Sequence, residues 1–300
     1  MTVVKLGAAL GAPVVLLCSK QARPAEVVQR ASSVRGARCV AVDLETDYEP
    51  DWPKFGTSMF PDAIFGAYGD LSLKRNLGLL IGRMVGWKTL LFLDDDIFGL
   101  STAQVKQAVG ALQHHSVVGM PARDFPDNSV VCHARRFDPS PAPKEEQDVF
   151  VSGSALAVNA QETESFFPQI YNEDWLFLVP HVDRREAASH AKVRQERYNP
   201  FDSPERAARQ EFGDVLAEGL IGYLHQKPMM LDRLPSQGYW KAFLSHRADL
   251  IATAAENCRQ QAGRNPYARD ALRALKCAEA MRSAIQPKVL VDYVAAWQAD

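Results

Sequence analysis

No stretch of this chain approaches the ~18 to 20 uninterrupted apolar residues that a membrane-spanning helix needs, so no span is expected. Blocks of like charge are missing too. The 34 Lys and Arg residues are interspersed with 36 Asp and Glu for a formal net charge of −2, which argues against nucleic acid or an anionic membrane as the main partner. Cysteine is scarce: the five residues Cys18, Cys39, Cys132, Cys258 and Cys277 are odd in number and form no C-x-x-C pair, so neither a disulfide framework, zinc nor redox chemistry is indicated. Such usage fits reduced thiols in a cytoplasmic protein. The apolar start from Val3 to Cys18 has an early lysine, an internal proline and no small-residue cleavage site ahead of Ser19, and reads as a first strand, not a secretory leader. No internal repeat is present, which excludes a solenoid.

With 300 residues and 47% hydrophobic content, the chain can bury one large core and extend it. Val14 to Cys18 and Cys39 to Leu44 are short aliphatic runs separated by a helical stretch from Pro24 to Val34, a β-α-β opening that predicts a parallel sheet. From Glu45 to Tyr68 the residues Pro50, Pro53, Gly56, Pro61 and Gly66 predict a long irregular segment of the kind found at binding sites. A helix from about Ser72 to Val85, striped by Leu77, Leu80, Ile81 and Met84, leads into a strand from Thr89 to Leu93. Ser101 caps a helix to about His114. Strands follow at Val117 to Met120, Ser129 to Cys132 and Phe150 to Val158, with Pro139, Pro141 and Pro143 in the loop between the last two. Ser203-Pro204-Glu205 opens a helix to about Leu224, and after Tyr239 the spacing is helical throughout. The expected fold is α/β over residues 1–232, a mostly parallel (mixed) sheet flanked by helices, with a helical extension over residues 233–300.

Three adjacent aspartates, Asp94-Asp95-Asp96, follow Leu90-Leu91-Phe92-Leu93 where the strand leaves the core. Concentrated negative charge there costs stability unless a cation compensates it, and a hard cation such as Mg²⁺ or Mn²⁺ suits oxygen ligands. The carboxyl ends of strands in open α/β sheets are also where ligands bind. A solvated acidic turn is the plainer reading. Upstream, Lys74, Arg75 and Asn76 occupy the first turn of a helix, where the macrodipole disfavours cations, so something anionic is expected beside them; nucleotide phosphates would satisfy both halves.

The segment Gly69-Asp70-Leu71-Ser72-Leu73-Lys74-Arg75-Asn76-Leu77-Gly78, continued to Leu93-Asp94-Asp95-Asp96-Ile97, resembles the nucleotide-sugar domain of GT-A glycosyltransferases, especially the family 2 type. The resemblance implies a Rossmann-like domain in which the triplet is the D-x-D motif. Asp94 would face the ribose or sugar with Asp95 beside it, and Asp96, with Asp94 as a second candidate ligand, would hold the Mn²⁺ or Mg²⁺ that bridges the diphosphate. Lys74, Arg75 and Asn76 would lie along the donor, and Ser19 and Asp43, after the first and second strands, would lie around the nucleoside. Val151-Ser152-Gly153-Ser154 and Tyr171-Asn172-Glu173-Asp174-Trp175 extend the match to the E-D element of inverting members. Gly153 and Ser154 would let a sugar approach the backbone, and Glu173 with Asp174 would form the catalytic pair, Asp174 as base. If Asp174 only held the sugar, the enzyme could be retaining. Some GT-A enzymes use a late histidine as a further metal ligand, which makes His225 a candidate.

Each role has a plainer counterpart. Asn172-Glu173-Asp174 fits a helix N-terminus, a lone histidine such as His225, His133, His181 or His246 is usually structural, and Trp175 and Trp240 fit a core as well as a sugar face. The expected activity is transfer of a sugar from a nucleoside-diphosphate sugar to an acceptor hydroxyl on a small molecule, glycan or lipid. The main rival is a haloacid-dehalogenase-type phosphatase using Asp94 and Asp96. That family places its motif at the first strand, and Ile97-Phe98 stand here where it has a hydroxyl-bearing residue. A sugar-nucleotide pyrophosphorylase would begin with a glycine-rich loop that Gly7 to Gly11 does not form, and a non-catalytic glycan-binding protein would not need the carboxylates. The helices from Tyr239 to Ala299 could cover an acceptor cleft, form a homodimer contact or close the core.

Overall fold

Alternation decides the central strand. In the computed structural model, which describes residues 2–45, 48, 54–60, 70–123, 129–139, 151–226 and 234–300, Ala155 and Ala157 of β6 (Ala155–Asn159) join one hydrophobic cluster while Leu156 and Val158 join another, as a two-residue period requires. β6 lies between β3 (Thr89–Leu93) and β5 (Val117–Gly119), antiparallel to both, and β5 runs parallel to β7 (Ala187–Ser189). The sheet is therefore mixed, in the order β3-β6-β5-β7, and two of its three pairings are antiparallel, against the expectation of a mostly parallel sheet. The β-α-β opening forms as expected, with β1 (Val14–Cys18) and β2 (Cys39–Asp43) in a separate parallel pair connected by α2 (Pro24–Ser32). β4 (Ile97–Phe98) pairs antiparallel with β8 (Arg194–Gln195).

One face of the mixed sheet is covered by α1 (Thr2–Leu10) and α4 (Thr102–Ala111), whose Leu6, Val105 and Ala108 pack with Val118, Ala155 and Ala157. The other is covered by α3 (Leu71–Val85) and α6 (Glu173–Asp183), whose Leu79, Phe177 and Leu178 pack with Val117, Leu156 and Val158. Two glycines one turn apart set α3 on β3. A Cβ at Gly82 would lie 2.8 Å from Leu90 Cδ1, and one at Gly78 would lie 2.9 Å from Phe92 Cε1, so only glycine lets the helix backbone come this close. Residue 82 over 90 and residue 78 over 92 make an antiparallel register. Its next step carries Arg75 to Asp94, just past the end of the strand.

The remaining helices are α5 (Val130–Ala134), α7 (Pro204–Gln226), α8 (Gln237–Gln261), α9 (Pro266–Ala284) and α10 (Pro287–Ala299). Leu176 and Val179 of α6, Phe212 and Leu216 of α7, Trp240 and Leu244 of α8, and Leu290 and Tyr293 of α10 share one core. A second joins Val130 of α5 and Ala207 of α7 to Ile251 of α8 and Leu275 of α9. The helices after residue 233 thus share both cores with elements before it, and they close the core. The Asp300 carboxylate accepts hydrogen bonds from the Thr57 amide at 2.9 Å and hydroxyl at 2.8 Å, and from the Gly56 amide, fixing a 3-10 turn (Gly56–Met59) against the end of α10. No described helix is long and apolar enough to cross a membrane.

Several elements differ from the expectations. The apolar start is not all strand: Gly11, at φ +65°, ends a helix with the Ala12 amide bonded back to the Gly7 carbonyl at 2.9 Å, and Pro13 then starts the chain toward β1. Ser129 to Cys132 is helical because Val130, Val131 and Ala134 are all buried against α8 and α9, and that packing overrides the strand preference of valine. The strand expected from Phe150 begins at Ala155, since residues 151–154 bend around Arg75 and Asp174. Most of the segment from Glu45 to Tyr68, Gly69 of the resemblance, Pro141 and Pro143 of the proline-rich loop, Phe150 and the boundary at residue 232 lie outside the described residues.

Candidate functional site

Arg75 is the centre of the site. Its side chain is 5% exposed; one terminal nitrogen donates to Glu173 Oε1 and the other reaches Asp94 Oδ2 at 3.2 Å. The guanidinium also sits over the Phe167 ring, 5.6 Å from its centroid. Burial alone would lower its pKa, but Glu173, Asp94 and Asp174 raise it above the ordinary value. The protein's own carboxylates thus supply an anion at the first turn of α3, and Arg75 is engaged by them.

Glu173 and Asp174 open α6, directly after Asn172, which adopts the left-handed conformation at φ 61°. Asp174 Oδ2 accepts from the Gly153 amide at 2.6 Å and Oδ1 from the Trp175 amide at 2.9 Å. Gly153 must be glycine for a reason other than the one expected: a Cβ there would lie 2.5 Å from Arg75 Nη1, so the group approaching this backbone is the guanidinium. Ser154 accepts from the Asp94 amide through its carbonyl at 2.9 Å and shares a 2.7 Å hydrogen bond with Ser152 through its hydroxyl. One cation among three carboxylates leaves excess negative charge. Burial pushes Glu173 up to about 8 against the pull of Arg75, with Asp174 and Asp94 adding to the rise, and burial likewise raises Asp94.

The acidic triplet divides three ways. Asp94 is held by Arg75, Asp95 is exposed, and Asp96 accepts from Gln195 Nε2 at 2.8 Å through Oδ2 while its buried Oδ1 has no partner among the described residues. Asp96 also lines a cavity of about 430 Å³ with Tyr171, Gln195, Tyr198, Arg206 and Gln210. Among the described residues no group of three or more His, Cys, Asp or Glu side chains is arranged to hold a metal ion. An orphaned carboxylate oxygen still fits Mg²⁺ or Mn²⁺ in one mode, in which one or two carboxylates hold the ion and substrate phosphates and water complete its shell.

On the other side of Arg75, Lys74 donates to the Ser19 hydroxyl at 2.7 Å and pairs with Asp70 at 3.0 Å. Burial opposes ionisation of Asp70, but hydrogen bonds from Ser19 and Lys74 hold it down to about 2. Asp43 is exposed at the end of β2, in register with Cys18. Asn76 is occupied by structure: its amide donates to the Phe167 carbonyl at 2.8 Å and accepts from the Phe167 amide at 2.9 Å. His225 is not brought to the triplet. It is exposed at the far end of α7, and at 1.5 Å per residue it lies about 22 Å along the axis from Gln210, which lines the Asp96 cavity. Trp240 is wholly buried core, Trp175 packs on the same core, and His181 is buried against the Thr163 hydroxyl at 3.1 Å.

A buried ionic cluster went unread in the sequence. Arg247 of α8, 1% exposed, donates to both Glu211 oxygens at 2.9 Å, to Glu218 at 2.6 Å and to Asp214 Oδ2 at 3.4 Å. Asp214 Oδ1 accepts from Asn172 Nδ2 at 2.9 Å, which ties this cluster to the residue before Glu173. The signal was present: Glu211, Asp214 and Glu218 follow the same spacing as the apolar stripe of their helix, and Arg247 interrupts the stripe Trp240, Leu244, Ile251. No known protein family, curated protein or solved structure matches the chain.

Proposed function

We propose that this chain is a GT-A type, metal-dependent glycosyltransferase that moves a sugar from a nucleoside-diphosphate sugar to an acceptor hydroxyl. The observation that carries the reading is convergence: Asp94 of the triplet, Gly153 of the Gly153-Ser154 turn and the E-D pair, far apart in sequence, meet around the buried guanidinium of Arg75. In this reading Lys74, beside Ser19, meets the diphosphate, and Asp96 Oδ1 holds Mn²⁺ or Mg²⁺. When bound, the ion supplies positive charge to the departing diphosphate, where such transfers need stabilisation most.

Asp174 is the base. Each of its oxygens takes one backbone N–H, which fixes the carboxylate and leaves lone pairs for the acceptor's proton. Glu173 and Asp94 hold Arg75 in place, and Arg75 keeps three carboxylates together at the sugar's position without an interior ion. The phosphatase alternative needs Asp94 as a free nucleophile, and its engagement with Arg75 weighs against that.

Calorimetry with a panel of uridine and guanosine diphosphate sugars, with Mn²⁺ or Mg²⁺ and after EDTA, tests the reading. Binding that needs the metal supports it; equal affinity after chelation, or no binding by any member, removes it. Asp174→Asn is expected to keep nucleotide binding while losing transfer.

A further inference from the structure

We infer that the cavity beside Asp96 is the acceptor subsite and that its occupant is a neutral carbohydrate or polyol. The inference rests on the glycosyltransferase reading and adds the acceptor's chemical class. The cavity, of about 430 Å³, falls in the range of small-molecule sites. Its wall is drawn from four separate places: Asp96 past β3, Tyr171 just before α6, the stretch from Gln195 to Tyr198, and Arg206 and Gln210 on the first turns of α7.

Its position suits an acceptor. Asp96 places it beside the proposed ion, and Tyr171 lines it from the turn that leads into α6, three residues before the proposed base. The donor side is reached through Lys74 and Ser19, a different part of the site.

Its chemistry selects the class. No aliphatic side chain among the described residues lines it; amides, carboxylates, guanidinium groups and two tyrosines do. Such a surface offers donors and acceptors at short spacing and only aromatic faces as apolar area, the pattern that polyhydroxylated rings satisfy and acyl chains do not. Two carboxylates, Asp96 and Glu196, balance two guanidinium groups, Arg197 and Arg206, and the charge of the proposed ion would be neutralised by the donor's diphosphate, so no net charge favours a phosphorylated or acidic ligand. Arg206 is further held by Asp202 at 3.0 Å and lies over the Tyr198 ring, 5.5 Å from its centroid. That pairing offsets its charge and stiffens the wall.

The test is saturation-transfer NMR and calorimetry on the full chain with maltose, cellobiose, lactose, sucrose and inositol, beside glucose 6-phosphate, glucuronate and octanoate, with the nucleotide-sugar panel run in parallel. At least one neutral ligand should bind. Gln210→Met should weaken it roughly tenfold through the lost amide contacts, Gln210→Trp should abolish it by filling the space, and Arg269→Ala, at a separate surface cavity on α9, should leave it unchanged. Circular dichroism confirms that each variant is folded, and Gln210→Met stands if the tryptophan variant is not. Absence of neutral-saccharide binding, insensitivity to both Gln210 substitutions, or tighter binding of the phosphate, acid or octanoate than of every neutral ligand overturns the inference. Nucleotide-sugar binding without saccharide binding sinks the inference alone, whereas saccharide binding without nucleotide-sugar binding sinks the acceptor role together with the reading beneath it.

Discussion

Replacing Arg75 by methionine keeps the length of the side chain and removes the charge on which Glu173, Asp94 and Asp174 converge. Breaking a buried ion pair from one side costs about 3–5 kcal/mol, because the abandoned carboxylate stays buried without compensation, a cost that Glu173 contributes in full only where it is ionised, from about pH 8 upward. Glu173 is 7% and Arg75 5% exposed, so solvent cannot take over. A shift of that size lowers the melting temperature by roughly 5–8 °C in a chain this long. The double variant Arg75→Met/Glu173→Gln should recover much of the loss, since the uncompensated charge goes with it. The pH arm has a definite sign. Glu173 is raised from 4.5 to about 8 by burial, so its contribution to stability is fully present below pH 4.5 and is lost as pH rises through about 8. Removing Arg75 takes away the main influence holding that pKa down, so the gap between variant and wild type should widen from pH 5 to pH 8. Calorimetric unfolding of the three proteins at both pH values measures all of this. At pH 8, a cost below about 1 kcal/mol for Arg75→Met, or a double variant no better than the single, would refute the central place given to this guanidinium.

Gly153→Ala should cost about 1–3 kcal/mol by overpacking, because its Cβ would meet Arg75 Nη1 at 2.5 Å; an unchanged melting temperature would contradict that contact. Asn172→Gly keeps access to φ 61° while losing the hydrogen bond to Asp214, whereas Asn172→Ala loses both, so alanine should be the less stable by about 1 kcal/mol in urea titration. Arg247→Met should cost about 3–5 kcal/mol or prevent folding, since Glu211, Asp214 and Glu218 then lack their cation; soluble expression and unfolding midpoints decide it. His133 and His181 are held down to about 4 from 6.5, mainly by burial, so the stability they confer is present above pH 6.5 and is lost as pH falls through 4. His181→Gln should soften that acid limb in denaturant titrations, and an unaltered limb would count against it.

Much of the sheet was legible because periodicity and burial coincide there. Thr89 to Leu93 and the β-α-β opening are short aliphatic runs bounded by turn residues, and they fold as they read. Ser129 to Cys132 was misleading for the opposite reason: its valines signal a strand, and only contact with helices more than 100 residues later makes it helical. At the site, residue types were readable and partners were not. A basic pair at a helix start demands an anion, but sequence cannot say whether that anion is a ligand or Glu173, 98 positions away. The glycine at 153 announced a close approach without saying that the approaching group was Arg75. His225 carries no sequence mark of its distance from the triplet, which the rise of α7 sets at about 22 Å along the axis from Gln210.

The helical half is tied to the site by one carboxylate. Asp214 receives Arg247 of α8 on Oδ2 and Asn172 on Oδ1, so the residue that sets the entry of α6 is held from the C-terminal helices. Asn172 in turn fixes where Glu173 and Asp174 emerge, and these fix Arg75, Gly153 and Asp94. Charge explains why such a chain of contacts is worth burying. Each carboxylate in it is costly alone and acceptable only with its partner in place, so the pairs permit one arrangement of α6 relative to β3 where apolar packing would tolerate several. The helices after residue 233 thus reach the turn before Glu173 through Arg247 and Asp214 as well as closing the core.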